Sequence, residues 1–422
     1  MKKRKQILFG LIAFLFFSSS CCAYAQEVLD WKDCVQEALE YHPDLKSAQE
    51  DISQAKSDKG VALSAALPDI STGLVAKEVK STTSKKTDSY KYTITGEQLL
   101  FDGFKTVADV KFASKTINAQ EYNYIVVSSN IRFDLRSAFA GLLRAQELIG
   151  LTEQIAQRRK QNLELVELRY SAGREHKGAL FQAQADLANA EFDVVQAKRN
   201  LSLAQRQLLK ELGRSHAVPV EVNGTFDITE ADEQKPDFEF LAESTPFLRE
   251  LIEKKEALRL GFISARADFF PKVYFNGSFG ETESSWPPQK DEWSAGVSVS
   301  FPIFEGGSRL AKAAKAKSQW RQAQDSEKSG RDSVVVTLER TWNDFQDAID
   351  NVSVQYKFLM AAEERAKIGR AQYASGLINF DDWIILEDNL VVAQKTYLNA
   401  QAEMLIAEAS WIQAKGGMLE YV

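Results

Sequence analysis

Two periodicities divide this chain. In "WSAGVSVSF", Trp293, Ala295, Val297, Val299 and Phe301 alternate with Ser294, Gly296, Ser298 and Ser300, the pattern of a strand with one greasy face. "YKYTITGEQ" alternates likewise through Tyr90, Tyr92 and Ile94, and "KVYFNGSFG" through Val273, Phe275 and Phe279; "DISTGLVAK" from Asp69 does so more weakly. After these stretches the apolar positions recur at threes and fours. Leu187, Ala190, Val194, Ala197, Leu201, Ala204 and Leu208 follow an a/d heptad, and alanine at every second seam position lets helix backbones approach closely. A lone amphipathic helix on a globular core would need only a broader stripe.

The pattern is written twice. The phrases around "RYSAG" and "QYASG" put Tyr170 and Gly173 at a fixed offset of 203 from Tyr373 and Gly376. Pro43 and Pro246, Pro68 and Pro271, Phe101 and Phe304, Gly103 and Gly306, and Gly213 and Gly416 keep the same offset. At that offset the seam reads Leu390, Ala393, Tyr397, Ala400, Met404, Ala407 and Trp411. A helix, strand, strand, long helix, turn, helix unit is therefore expected twice, over 26–213 and 238–422, with 214–237 as a linking segment. No proline falls between Asp69 and Val218 or after Pro302, which leaves room for uninterrupted helices. The spacing predicts them from Phe104 to Tyr170 and from Gly307 to Tyr373, each about 100 Å long, with Gly141, Gly150, Gly330 and Gly369 as expected bends or breaks. Gly173 and Gly376 suit the left-handed stop of a helix.

Composition adds the compartment. Lys2, Lys3, Arg4 and Lys5 precede "ILFGLIAFLFF" and then "AYA", the layout of a secretory signal peptide over residues 1–25, cleaved after Ala25; lipidation at Cys21 is the rival processing. Removing the four basic residues takes the net charge from −7 to −11, which argues against nucleic acid as a partner. Only Cys34 then remains, so no intrachain disulfide is expected.

Each alternating stretch has about nine residues, close to the ~9 to 11 of a tilted membrane strand, although the alternation alone fits a soluble β-sandwich equally. The polar links "EVKSTTSKKTDS" and "ETESSWPPQKDE", read as loops, and the aromatics Trp286, Trp293, Tyr90 and Tyr92 near the strand ends favour an outer-membrane barrel in an exported chain. Four strands cannot close a barrel of about eight or more, so several chains must contribute.

This arrangement resembles the TolC-like outer-membrane efflux proteins, the exit ducts of tripartite pumps and type I secretion systems. The phrases "EQLLFDGF", "SFPIFEGGSRLAKA", "RYSAG" and "QYASG" and the heptads after them carry the resemblance over 26–422. It implies an α+β membrane protein: a homotrimer sharing a twelve-stranded barrel in outer-membrane lipid above a coiled-coil helical tunnel in the periplasm, with 214–237 as an equatorial insertion. The implied partners are a periplasmic adaptor and, through it, an inner-membrane transporter of RND, ABC or other class. Tyr170, Gly173, Tyr373 and Gly376 would contact the adaptor, and Asp382, Asp381, Tyr373 and Ile385 would line the aperture. The family pattern has a tyrosine three residues before the turn glycine, an arginine two after it, and aspartates six and nine after it. Tyr373 and Asp382 match, whereas Ile378 and Ile385 depart from it.

No catalytic, cofactor or metal site is expected. His42, His176 and His216 are scattered, no zinc spacing occurs, and Gly306 and Gly307 lack the third glycine of a phosphate loop. Asp381 and Asp382 are helix neighbours that point in different directions. The alternatives are a periplasmic adaptor, which would carry one hairpin flanked by β-modules, and a structural coiled coil, which would need no strands.

Overall fold

The computed structural model describes residues 27–81, 84–215, 219–228 and 234–420. The processing sites at Ala25 and Cys21, and His216, lie outside these residues.

The elements run β1 (Glu27–Leu29), α1 (Trp31–Tyr41), α2 (Pro43–Ser64), β2 (Asp69–Ser81), β3 (Ser84–Phe101), α3 (Lys105–Ser171), α4 (Lys177–Glu211) and β4 (Val220–Val222). Then follow α5 (Phe238–Ala242), α6 (Pro246–Ala267), β5 (Lys272–Glu283), β6 (Asp291–Ser300), α7 (Ser308–Ser375) and α8 (Phe380–Lys415). The copies match closely: α2 and α6 have 22 residues each and start on Pro43 and Pro246, where a fixed φ suits the first helical turn. α3 and α7 have 67 and 68 residues, and α4 and α8 have 35 and 36.

The long helices run unbroken through the four glycines expected to interrupt them. A side chain at Gly330 would run into Leu251, and one at Gly369 into Leu386. These two glycines thus permit close helix packing, which outweighs their helix penalty of about 1 kcal/mol. α3 lies between α4 and α8 along one part of its length and packs on α2 and α6 along another; α7 packs on α6 and α8. The seam alanines Ala190, Ala197 and Ala204 are buried, while Leu187, Val194 and Leu201 are partly so.

Duplication extends to the core. Ile131, Leu135, Phe139, Leu142 and Leu208 anchor one cluster; Val334, Leu338, Trp342, Phe345 and Trp411, each 203 residues later, anchor another. The first also takes in Leu29 and Val222, whose short strands β1 and β4 pair in parallel. Arg214 ties this region together through Glu27 at 2.6 Å and Glu37 at 2.7 Å. Cys34 is free and buried there, its thiol pushed up to about 12 by burial first and by Glu37, Asp33 and Asp30 next.

The four remaining strands form one antiparallel sheet in the order β2-β3-β5-β6. They have 13, 18, 12 and 10 residues, longer than the nine expected. Most of the link read as a loop from Glu78 to Ser89 is ladder, with Glu78 opposite Asp88 and Val79 opposite Thr87. Valine and threonine suit a pleated backbone whether or not it lies in lipid, so alternation marked only the apolar part of each strand.

The register gathers the apolar positions on one face. Ile94 lies opposite Phe279, and Phe279 opposite Trp293; Phe275 pairs with Val297, and Val273 with Val299. Trp293 is 75% exposed and Val297 62%. The other face is polar: Ser71 bonds Thr95 at 2.7 Å, Asn276 bonds Ser298 at 2.7 Å, Ser278 bonds Ser294 at 2.8 Å and Lys91 pairs with Glu292 at 3.1 Å. Tyr90 and Trp286 meet edge to face at 5.9 Å. Among the described residues no helix is long and apolar enough to cross a membrane.

Candidate functional site

At each hairpin tip a long helix stops on a left-handed glycine and the chain reverses. Gly173 has φ +68° and Gly376 φ +82°. Gly173 N–H donates to the Tyr170 carbonyl at 3.0 Å and Arg174 N–H to that of Arg169 at 2.8 Å; Gly376 and Leu377 repeat both bonds onto Tyr373 and Gln372. Carbonyls orphaned at the helix end are thereby satisfied. The returning helices are capped by side chains: His176 Nδ1 accepts from Ala179 N–H at 3.0 Å and Asn379 Oδ1 from Asp382 N–H at 2.7 Å.

Within this common frame the two tips differ. Tyr373 is fully buried and stacks on Trp383, with centroids 4.3 Å apart, while Phe380 meets it edge to face at 6.3 Å. Its hydroxyl donates to Glu175 Oε2 at 2.8 Å. Arg169 donates to the Tyr373 carbonyl at 2.6 Å and holds its guanidinium 4.5 Å from the ring centroid. Arg169 and Glu175 come from one hairpin and Tyr373 from the other, so this cluster staples the tips together. Burial and then the Glu175 bond hold the Tyr373 phenol well above its ordinary value. Tyr170, its counterpart, is 39% exposed. Lys177 and Leu180 stand where the second copy has Phe380 and Trp383, so the first tip lacks the aromatic bed.

Of the residues expected at the aperture or on the adaptor-facing surface, Gly173, Gly376, Asp381 and Asp382 are exposed, and Ile385 is 56% exposed. Tyr373, expected to face a partner, is enclosed within its own chain instead. Ile378 packs against the Tyr373 cluster. Asp382 and Ile385, three apart on a helix, share one flank, and Asp381 lies about 100° round from Asp382.

Sequence reasoning missed Arg169, Glu175 and Trp383. It also missed the charges that join α3 to α8 farther along. Arg158 lies 3.5 Å from the buried Glu387 and donates to Gln394 at 2.9 Å, and Arg159 pairs with Asp388. Burial lowers the Arg158 value and Glu387 opposes that shift. These partners are more than 200 residues apart in sequence, and a single sequence carries no periodic signal for such contacts.

The comparisons agree with this geometry. The sequence profile of the outer membrane efflux protein family matches residues 34–214 and 241–417. Outer membrane protein TolC of Escherichia coli is 21% identical over 440 residues, covering all of this chain and 87% of TolC. Outer membrane protein OprJ of Pseudomonas aeruginosa is 25% identical over 302 residues, a match that covers 66% of this chain but 59% of OprJ. Among solved structures, the transmembrane channel CusC superposes with a TM-score of 0.84 at 17% identity, over 95% of this chain and 96% of that one. With the profile covering both copies and the fold reproduced over nearly the whole chain, this protein belongs to the outer membrane efflux protein family.

Proposed function

We propose that three copies of this chain close their sheets into one twelve-stranded barrel and stack their helices into a tunnel, forming the exit duct of an efflux pump or a type I secretion system. The observation that carries this reading is the sheet itself. Its apolar residues face outward from one side, hydrogen-bonded serines and asparagine occupy the other, and β2 and β6 are edge strands. An open edge of this length is a template for another chain, and in a membrane only closure satisfies its backbone groups. Repeats 26–213 and 238–422 each supply two strands and one helical hairpin, with 214–237 between them.

At the far end the tip turns with Tyr170, Gly173 and Gly376 dock a periplasmic adaptor, which connects the duct to an inner-membrane transporter. Threefold symmetry brings three Asp382 carboxylates toward one axis, with Ile385 as an apolar collar on the same flank. Like charges focused in a constriction favour cations. A duct of this kind moves cargo without chemistry of its own and needs no catalytic residue.

Single-channel recording in planar bilayers tests the aperture. Asp382→Ala lowers cation selectivity and relieves block by a trivalent cation added from the tip side. Unchanged selectivity and block in that variant, with altered values in Asp381→Ala, would move the aperture to Asp381; no change in either would remove the acidic gate.

A further inference from the structure

Just below the sheet, α6 and α7 leave between them a groove of about 470 Å³ lined by Phe262, Arg266, Phe269, Phe270, Ala314 and Lys317. Arg266 and Lys317 are exposed, and neither has a carboxylate partner among the described residues. Arg266 lies 5.8 Å from the Phe262 ring centroid, and Phe262 stacks on Trp320. Arg309, beside Phe269, is already engaged by Glu305 at 3.0 Å. The floor of the groove is thus aromatic and its rim holds two unspent positive charges.

Asp268 pairs with Lys272 at 3.9 Å and with Lys105 at 3.1 Å, and Lys272 belongs to the polar face, since Val273 next to it faces Val299 on the apolar one. Arg266 precedes Asp268 by two helical positions and so points about 200° away from it, away from Lys105 on α3 and toward α7. Leu310, seven residues before Lys317 and on the same face of α7, is exposed between the groove and the strand end. The first repeat has no equivalent: Leu63 and Ser114 replace Arg266 and Lys317, and Lys59 and Ala66 replace Phe262 and Phe269. The duplicated fold therefore forms without these residues.

We propose that this groove seats the headgroup of an anionic phospholipid from the tunnel-side leaflet of the outer membrane, one per chain, with its acyl chains rising past Leu310 along the apolar face. The position is where interfacial aromatics and cations meet headgroups, and basic pockets at that depth suit phosphate-bearing lipids. The lipid would fasten the root of the barrel to the top of the tunnel in the second repeat.

The proposal rests on the duct reading, and the test separates the two. Purified, delipidated trimer is titrated with dioleoylphosphatidylglycerol or dioleoylphosphatidylcholine, bound lipid is counted by native mass spectrometry, and conductance is recorded in parallel. Up to three phosphatidylglycerol molecules per trimer are expected, held about tenfold more weakly by Arg266→Ala/Lys317→Ala, with no retained phosphatidylcholine and no competition from millimolar inorganic phosphate. If the double variant does not assemble, Arg266→Gln, at an exposed position, is expected to show the same weakening. Equal phosphatidylglycerol retention in a conducting variant overturns the site, as do equal retention of phosphatidylcholine and displacement by inorganic phosphate. A wild-type protein that forms no conducting trimer overturns the duct reading itself.

Discussion

Replacing Tyr373 with phenylalanine removes one hydroxyl and leaves the stack on Trp383 intact. It takes from the largely buried Glu175 carboxylate the hydrogen bond at 2.8 Å, a loss of about 1 to 3 kcal/mol. Tyr373→Phe should therefore speed amide exchange at both tips while trimer yield stays the same, and Tyr170→Phe should change little; equal effects would contradict the staple. The pH dependence has a definite sign. Because the folded state raises the phenol's value, its contribution is complete below about pH 10, the ordinary tyrosine value, and is lost as pH rises toward the higher folded value. Tip exchange in the wild type, corrected for its intrinsic pH dependence, should therefore loosen only in strong alkali. The turn glycines were legible in the sequence because a left-handed helix stop has a residue signature. The role of Tyr373 was not, since Glu175 reaches it from the other hairpin, 198 residues away.

Among the elements, the copied punctuation was the most legible feature, because helix starts at proline and stops at glycine are local chemistry. Strand lengths were less so: charged and hydroxyl-bearing positions, Glu78 opposite Asp88 and Ser81 opposite Ser84 among them, extend the ladder without any hydrophobic alternation. Glycines inside α7 were misread because what they admit, Leu251 and Leu386, comes from other helices. The same contrast separates two left-handed glycines. A Cβ at Gly173 meets nothing within 4 Å, whereas one at Gly213 would lie 2.7 Å from the Tyr41 carbonyl oxygen. Both alanine variants carry the backbone strain of about 1 to 2 kcal/mol, and Gly213→Ala adds a clash with main chain of a further ~1 to 3 kcal/mol. Thermal unfolding should thus place Gly213→Ala clearly below Gly173→Ala, and matching midpoints would show that the α1–α4 junction yields freely.

At the scale of the whole molecule, a single chain leaves apolar flanks and both sheet edges uncovered. Phe358 and Val354 are exposed on α7, as are Phe181, Phe192 and Leu203 on α4, and both sheet edges are open. Apolar surface on this scale marks contact with other molecules. The heptads and alternating strands foretold the parts, while the unpartnered flanks became visible only once α7 was seen to pack on α6 and α8. The central claim is that like chains complete one another. Its most direct test is the mass of the detergent-extracted particle by multi-angle light scattering, with the detergent contribution subtracted. The account predicts a single species of about three chain masses, and a monodisperse particle of one chain mass would contradict it.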